Sequence, residues 1–411
     1  MLANQLLAIA FGAVSWVLVA RVLGVGDFGR VAATSAVIAI LAPAATLGRD
    51  GILFRRASRD AGLLEVALGH AASVTLLAGS LLGLLVCLIL PLLLPEPLPR
   101  AAIAAFCCAE LLLARIGSLI GAVLQIIGQY RQLLITTLLQ QGLRLAAAVL
   151  LSFSTLKGTD AIGLWAMLVL GSATAGFLFL RRCLHGHDLK LAWTRHGLGE
   201  GSGEGGYFVL SGLSRMSCSQ IDKAVLAREW GAIALGPYAA ASRFIDAAMQ
   251  PLLALAAASY ARYFRAGAEG LRSSAAMALR LLPFVTAYGL LAGAALVLGA
   301  PLASRLLGPG YESLAEVLIW LAPLPLLRGL QYQAGGALTG AGRQHRRALL
   351  HFAAAVLNLG LNLWLVPGQG WQGAAIAALV TDLLYASLLW GMLASGRAAD
   401  GPRAVPDSSI D

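Results

Sequence analysis

The sequence predicts an all-α integral membrane protein of about 12 transmembrane helices, built as two six-helix bundles related by pseudo-two-fold symmetry along the membrane normal. Three observations carry this. The chain is 59% hydrophobic and only 12% charged, with a mean hydropathy of +0.79, whereas soluble domains carry about 25% charged residues. Apolar stretches of about 20 residues, the length that crosses a bilayer, recur from one end to the other. Finally, residues 20–33 (ARVLGVGDFGRVAA) are echoed by residues 227–240 (AREWGAIALGPYAA), 207 positions later in a chain of 411. A repeat at half the chain length implies two copies of one architectural unit.

Helices are predicted near 2–20, 31–53, 65–94, 101–127, 132–154, 160–181, 204–226, 232–258, 276–300, 313–341, 347–366 and 371–395. The first run lacks the basic leader of a signal peptide, and further spans come after it. It begins almost at Met1, which leaves a start upstream open. The runs do not alternate apolar and polar residues as barrel strands do. Gly24-Val25-Gly26-Asp27-Phe28-Gly29 spells GxGxxG, but a dinucleotide site needs a preceding strand and a later acid. The second copy keeps only the first and last glycines, so a glycine-rich turn between membrane helices is expected. The polar stretch Arg181 to Gly206 falls at mid-chain. The expected division is a first bundle over 1–181, a linker over 182–206, a second bundle over 207–396 and a tail over 397–411. Weaker echoes agree: GAVLQIIG (121–128) with GGALTGAG (335–342), and Gly163 with Gly373.

Arginine placement predicts orientation, because basic loops stay cytoplasmic. The even-numbered loops and the tail hold eighteen basic residues, among them Arg55, Arg56, Arg181, Arg262 and Arg346; the odd loops hold six. Both termini are thus expected on the cytoplasmic side of the membrane. The net charge of +10 sits mostly on that face and calls for no nucleic-acid partner. The five cysteines fall in or beside apolar helices without metal-ligand spacing.

Six cations remain within or near predicted spans: Arg115, Arg144, Arg215, Lys223, Arg243 and Arg328. A charge at the bilayer centre costs about 2.5–3.5 kcal/mol on insertion scales, so such residues pair with one another or line a wet cavity. The acids are fewer: Glu110, Asp222, Asp246, Glu316 and Asp382. Asp246 stands three residues after Arg243, a spacing that permits pairing, and Lys223 near a helix end can snorkel. Ser211, Arg215, Ser219 and Asp222 share one face of the seventh helix, a pattern that also suits a packed helix seam. Gln140, Gln141 and Arg144 on the fifth helix, with Glu110, Arg115 and Gln125 on the fourth, lie at comparable depth. The surplus of cations points to an anionic ligand, and guanidinium suits phosphate because its planar fork donates two hydrogen bonds. Other constellations are weak. His185, His187 and His196 lack a completing ligand for a metal, and His70 and His351 read as packed neutral side chains. No lysine follows a glycine, so a phosphate-binding GxxxxGK loop is absent. With no catalytic triad or carboxylate pair in sight, neither an enzyme nor a cofactor is expected.

ARVLGVGDFGRVAATSAVIAI and then LGRDGILFRRASRD resemble the opening of the bacterial polysaccharide-unit flippases, of the multidrug/oligosaccharidyl-lipid/polysaccharide exporter superfamily. IDKAVLAREWGAIALGPYAAASRF (221–244) and LTGAGRQHRRALLHFAAAVLNLGLNLWLVPGQGWQGAAIAALVTDLL (338–384) are similar to later segments of that family. The N-terminus departs from it in being short, and Asp50 beside Arg49 partly cancels a charge the family carries. The resemblance implies a MATE-like fold around a central cationic cavity that opens alternately to each membrane face. It implies an undecaprenyl-diphosphate-linked oligosaccharide as cargo, membrane lipids as surroundings, a proton or sodium ion as a coupling partner, and polysaccharide polymerase and export proteins as associates. Arg115, Arg144, Arg215, Arg243 and Arg328 are then expected to contact the diphosphate or sugar acids, with Asp222 or Asp246 coupling or modulating. The competing expectations are a drug or cation antiporter, which needs an acid-rich cavity, and a lipid-linked peptidoglycan precursor flippase, which usually has two more helices. A membrane polymerase or glycosyltransferase needs larger extramembrane segments than the loops here provide.

Overall fold

The computed structural model describes residues 2–57, 64–187, 189 and 202–399. Among these, every regular element is helical. In chain order they are α1 (Leu2–Ala45), α2 (Arg49–Ala57), α3 (Leu64–Leu93), α4 (Arg100–Cys107), a π-helical turn (Cys108–Leu113), α5 (Ala114–Ile126), α6 (Tyr130–Phe153) and α7 (Gly158–His185). The second half holds α8 (Ser202–Ala268), α9 (Leu271–Leu307), α10 (Leu314–Leu321), α11 (Leu324–Gly340), α12 (Gln344–Gln369) and α13 (Trp371–Ala399).

Ten helical stretches among the described residues are long and apolar enough to cross a membrane. Two of them, Leu7–Ala45 and Phe208–Ala268, run 39 and 61 residues. Straight helices of that length would measure about 58 and 92 Å, against a hydrocarbon core of about 30 Å. Each is interrupted by one glycine, Gly24 (φ 72°, ψ 172°) or Gly231 (φ 78°, ψ 179°), in a backbone region that only glycine adopts freely. The chain reverses there. Trp16 and Phe28 stack with ring centroids 5.1 Å apart, although twelve residues of straight helix would separate them by about 18 Å. Likewise the Tyr238 hydroxyl donates to the Asp222 carboxylate at 2.8 Å across a span that would measure about 24 Å. With both α1 and α8 counted as two arms, the ten stretches give twelve passes.

The local departures from the sequence reading have physical causes. No loop separates the first two helices, because one positive-φ glycine turns the chain and the helix resumes at once. The predicted second span ends at Ala45, where Leu47 and Gly48 take positive φ, and α2 continues as a separate short helix. The predicted span 313–341 is broken at Pro323, which has no N–H to donate, giving α10 and α11. Most of the linker 182–206 and of the tail 397–411 lies outside the described residues.

Backbone conformation repeats between the halves as the sequence does. Gly24 and Gly231 share a conformation, and so do Gly128 and Gly342, which close α5 and α11 at φ 80° and 75°. The halves meet chiefly through α1 and α8. A methyl group on Gly29 would run into the Ala232 backbone, and one on Gly236 would come within 2.5 Å of the Val25 carbonyl oxygen. Residues 29 and 236, like 25 and 232, are related by the same 207-residue offset, so the contact is self-complementary. One apolar core runs through both halves, with a satellite cluster in each. The outer surface is apolar as well: Leu77, Leu81, Leu84 and Leu88 on α3 are exposed, as are Leu298 and Leu302 on α9. Such exposed stripes suit lipid rather than water.

Candidate functional site

A cavity of about 550 Å³ lies between the halves and is walled by both arms of α1, the α4–α5 span, α6, α7 and both arms of α8. Its charged lining is Arg115, Arg144, Arg215, Lys223 and Arg243 against one acid, Glu110. Five cations facing one carboxylate leave a strongly positive space, within the volume range of small-molecule sites.

The π-helical turn explains how one span supplies both Glu110 and Arg115. In a regular α-helix these residues, five apart, would point about 140° away from each other. A π-turn bonds i to i+5 and so stacks them, and both reach the cavity. Arg144 approaches from α6 and donates to Glu110 at 3.2 Å. The Nε atoms of Arg115 and Arg144 are buried with no hydrogen-bond partner, a state that buried donors rarely tolerate. Arg243 lies over the Trp16 ring at 3.8 Å and reaches Asp246 only at 4.0 Å. Among the described residues, neither Arg115 nor Arg215 has a carboxylate within ion-pair distance. Lys223 is more committed: its ammonium donates to the Ser219 carbonyl at 2.7 Å and pairs with Asp222 at 3.4 Å.

Four of the five predicted arginines therefore share the cavity, and the fifth does not. Arg328 is absent from its walls; it donates to Asp382 at 2.9 Å between α11 and α13, where Gln331 binds the same carboxylate. Asp222 is buried and held by Tyr238 and Lys223. Asp246 lines an adjoining groove of about 350 Å³. That groove shares Gly12, Trp16, Gln141 and Arg243 with the main cavity and is otherwise largely apolar. The stripe on the seventh helix divides: Arg215 faces the cavity, Asp222 faces Tyr238, and the Ser219 carbonyl receives Lys223. Gln140 packs on Gly176 instead of joining Gln141 at the cavity.

Trp16 was not singled out by sequence reasoning. Its only signal is an aromatic residue in an apolar helix, which ordinarily means packing. Among the described residues no three candidate ligands cluster to hold a metal. His187 sits 3.3 Å from Gln132, and His196 lies outside the described residues.

The matched family is described as polysaccharide biosynthesis protein, and its model covers residues 18–264. No curated protein matches the sequence. Among solved structures, the chain is similar to the inward-facing conformation of a multidrug resistance MATE family transporter of the MOP superfamily, with a TM-score of 0.78, 18% identity and 96% of each chain covered. The outward-facing conformation of such a transporter gives a TM-score of 0.63 at 17% identity, covering 96% of this chain and 98% of the other. A MOP superfamily transporter from Pyrococcus furiosus Vc1, described by the reverse polarity of its binding pocket, gives 0.62 at 17% identity with the same coverage. The chain has the all-helical fold of these transporters, and by its match over more than half its length it belongs to the polysaccharide biosynthesis protein family.

Proposed function

We propose that this protein flips an undecaprenyl-diphosphate-linked oligosaccharide from the cytoplasmic to the outer leaflet for polysaccharide biosynthesis. The observation that carries this reading is the cavity's charge: Arg115, Arg144, Arg215, Lys223 and Arg243 face a single Glu110. Cations held in a low-dielectric space favour a multiply charged anion, and the forked donors of arginine fit diphosphate oxygens. The family match supports a glycan as the other part of the cargo. The apolar groove beside Trp16 and Arg243 gives the polyprenyl chain an apolar surface while the diphosphate stays with the arginines.

In this reading the units 1–181 and 207–396 rock against each other about the α1–α8 contact, tethered by the linker 182–206, with both termini cytoplasmic. Arg328, paired with Asp382, holds α11 to α13 and does not touch the cargo. Asp222 or Asp246 responds to a coupling proton or sodium ion, and polymerase and export proteins receive the product. The related multidrug transporters suggest cationic cargo as an alternative, but the positive cavity repels cations.

The test is export in cells. Arg115→Ala, Arg144→Ala, Arg215→Ala and Arg243→Ala should each reduce surface glycan and accumulate lipid-linked oligosaccharide while the protein still reaches the membrane. Normal export by all four would sink the assignment.

A further inference from the structure

A continuous stack of side chains joins the cavity to the seal where Val25 and Gly29 of the first half meet Ala232 and Gly236 of the second. It starts in the second half, on the 308–313 loop. Tyr311 is fully buried there and crosses to the first half, where its hydroxyl donates to the Ala20 carbonyl at 3.0 Å. The loop is fixed behind it, since Ser304 donates to the Tyr311 carbonyl at 2.6 Å and Gly310 rests on Val25. The Tyr311 ring lies 6.3 Å from Phe28, which is also fully buried, and Phe28 meets Trp16 edge-on at 5.1 Å. Trp16 ends the stack in the cavity, under the Arg243 guanidinium at 3.8 Å. The same seal contains the self-complementary contact of Gly29 with Ala232 and Gly236 with Val25.

We propose that Trp16 is a positioning residue for transport. It parks Arg243 before cargo binds and, through Phe28 and Tyr311, holds the seal of Val25 and Gly29 on Ala232 and Gly236 shut. A ligand shifts a conformational equilibrium only through contacts that differ between the states. The Arg243 guanidinium supplies that difference. Before cargo binds it rests on the Trp16 ring, its carboxylate partner being 4.0 Å away. A diphosphate offers it stronger, bidentate hydrogen bonds and draws it off the ring. Trp16 is then free to turn, Phe28 loses its edge contact, and Tyr311 loses the wall that orients it toward Ala20. Close-packed contacts of this kind switch between discrete arrangements rather than deforming gradually. This rests on the anionic cargo proposed above for the ligand step, but not for the contribution of the stack to the seal.

The reporter is Val25→Cys in a protein whose five native cysteines are replaced by alanine, purified into nanodiscs and labelled with a maleimide. Val25 packs on Gly236 and Gly310, so its labelling rate tracks opening of the seal. Farnesyl diphosphate serves as the probe ligand. In the otherwise unaltered protein it should raise the rate about threefold, the scale expected from losing one solvent-accessible cation–π contact. Trp16→Leu should show the raised rate without ligand and gain nothing from it, whereas Trp16→Phe should restore most of the ligand dependence. Tyr311→Phe removes only the bond to Ala20 and should raise the ligand-free rate about fivefold. It keeps the test valid should Trp16→Leu lose its thermal transition. Unaltered ligand-free rates in the correctly folded Trp16 and Tyr311 variants would overturn the proposal. Should the variants open the seal while farnesyl diphosphate neither binds nor speeds labelling, the stack stands and the anionic-cargo reading falls.

Discussion

The cavity between the halves and the α11–α13 region of the second half place arginine inside the membrane in opposite ways. In the cavity, Arg115 and Arg215 have no carboxylate in reach among the described residues, Arg144 shares the lone Glu110, and Arg243 rests on a tryptophan ring. In the second half, Arg328 is closed into a network with Asp382 and Gln331. Arg347 there donates to the Thr339 hydroxyl at 2.8 Å and to the Gly335 carbonyl at 3.3 Å. A buried charge whose donors are satisfied within the protein is structural. One whose donors face open volume holds its desolvation cost in reserve for a ligand. The difference between binding and scaffolding lies in partners, not in residue type.

That distinction is open to breaking, first where the expected effect is largest. Arg328→Ala strands Asp382 and should destabilise the protein by about 3–5 kcal/mol, read as a fall in the thermal midpoint in detergent. The double variant Arg328→Met/Asp382→Leu should recover most of it. A stable Arg328→Ala protein that fails to export would erase the contrast. Next, Arg115→Gln and Arg215→Gln should leave the midpoint within about 1 kcal/mol of the parent. Each should weaken binding of inorganic diphosphate roughly 10- to 100-fold, the worth of a charge-assisted hydrogen bond; calorimetry would report it. Glu110→Gln should act the other way. Its bond to Arg144 is more than a third exposed on both sides, so releasing it should tighten diphosphate by at most about fivefold. Asn358→Leu should be smallest. It loses the Thr381 contact at 3.2 Å on α12–α13, a polar contact of the sort that averages about 0.6 kcal/mol between membrane helices, and export should continue unchanged.

Much of this architecture was legible beforehand, for reasons tied to particular residues. Bilayer thickness fixes the length of every span, so hydropathy alone locates them. The paired A-R-x-x-G segments mark the two hairpins because Gly24 and Gly231 must each adopt a conformation closed to other residues. The site was half legible. An arginine in an apolar helix stands out wherever it points, so sequence flags Arg328 as readily as Arg215. Only three-dimensional packing shows that Asp382, 54 residues further along, has already claimed the former. Trp16 was invisible for the converse reason: an aromatic side chain in a membrane helix carries no sign of the cation that will settle on it. The π-turn was hidden too, since CAELLL differs in no way from an ordinary helical hexamer.

That turn makes the span's packing depend on chain length as well as on residue identity. Above it, Ile103 and Phe106 belong to the core shared by both halves; below it, Leu119 and Val123 belong to the first half's satellite cluster. Loss of a single codon within 111–113 would leave an unbroken α-helix with Glu110 and Arg115 four apart and still on one face, whereas loss of one within 116–118 would rotate the rest of the span below it by about 100°. After the latter loss the lower apolar stripe would turn off its partners, though no residue type had changed. The span thus tolerates substitution at many positions but loss of one residue only inside the turn.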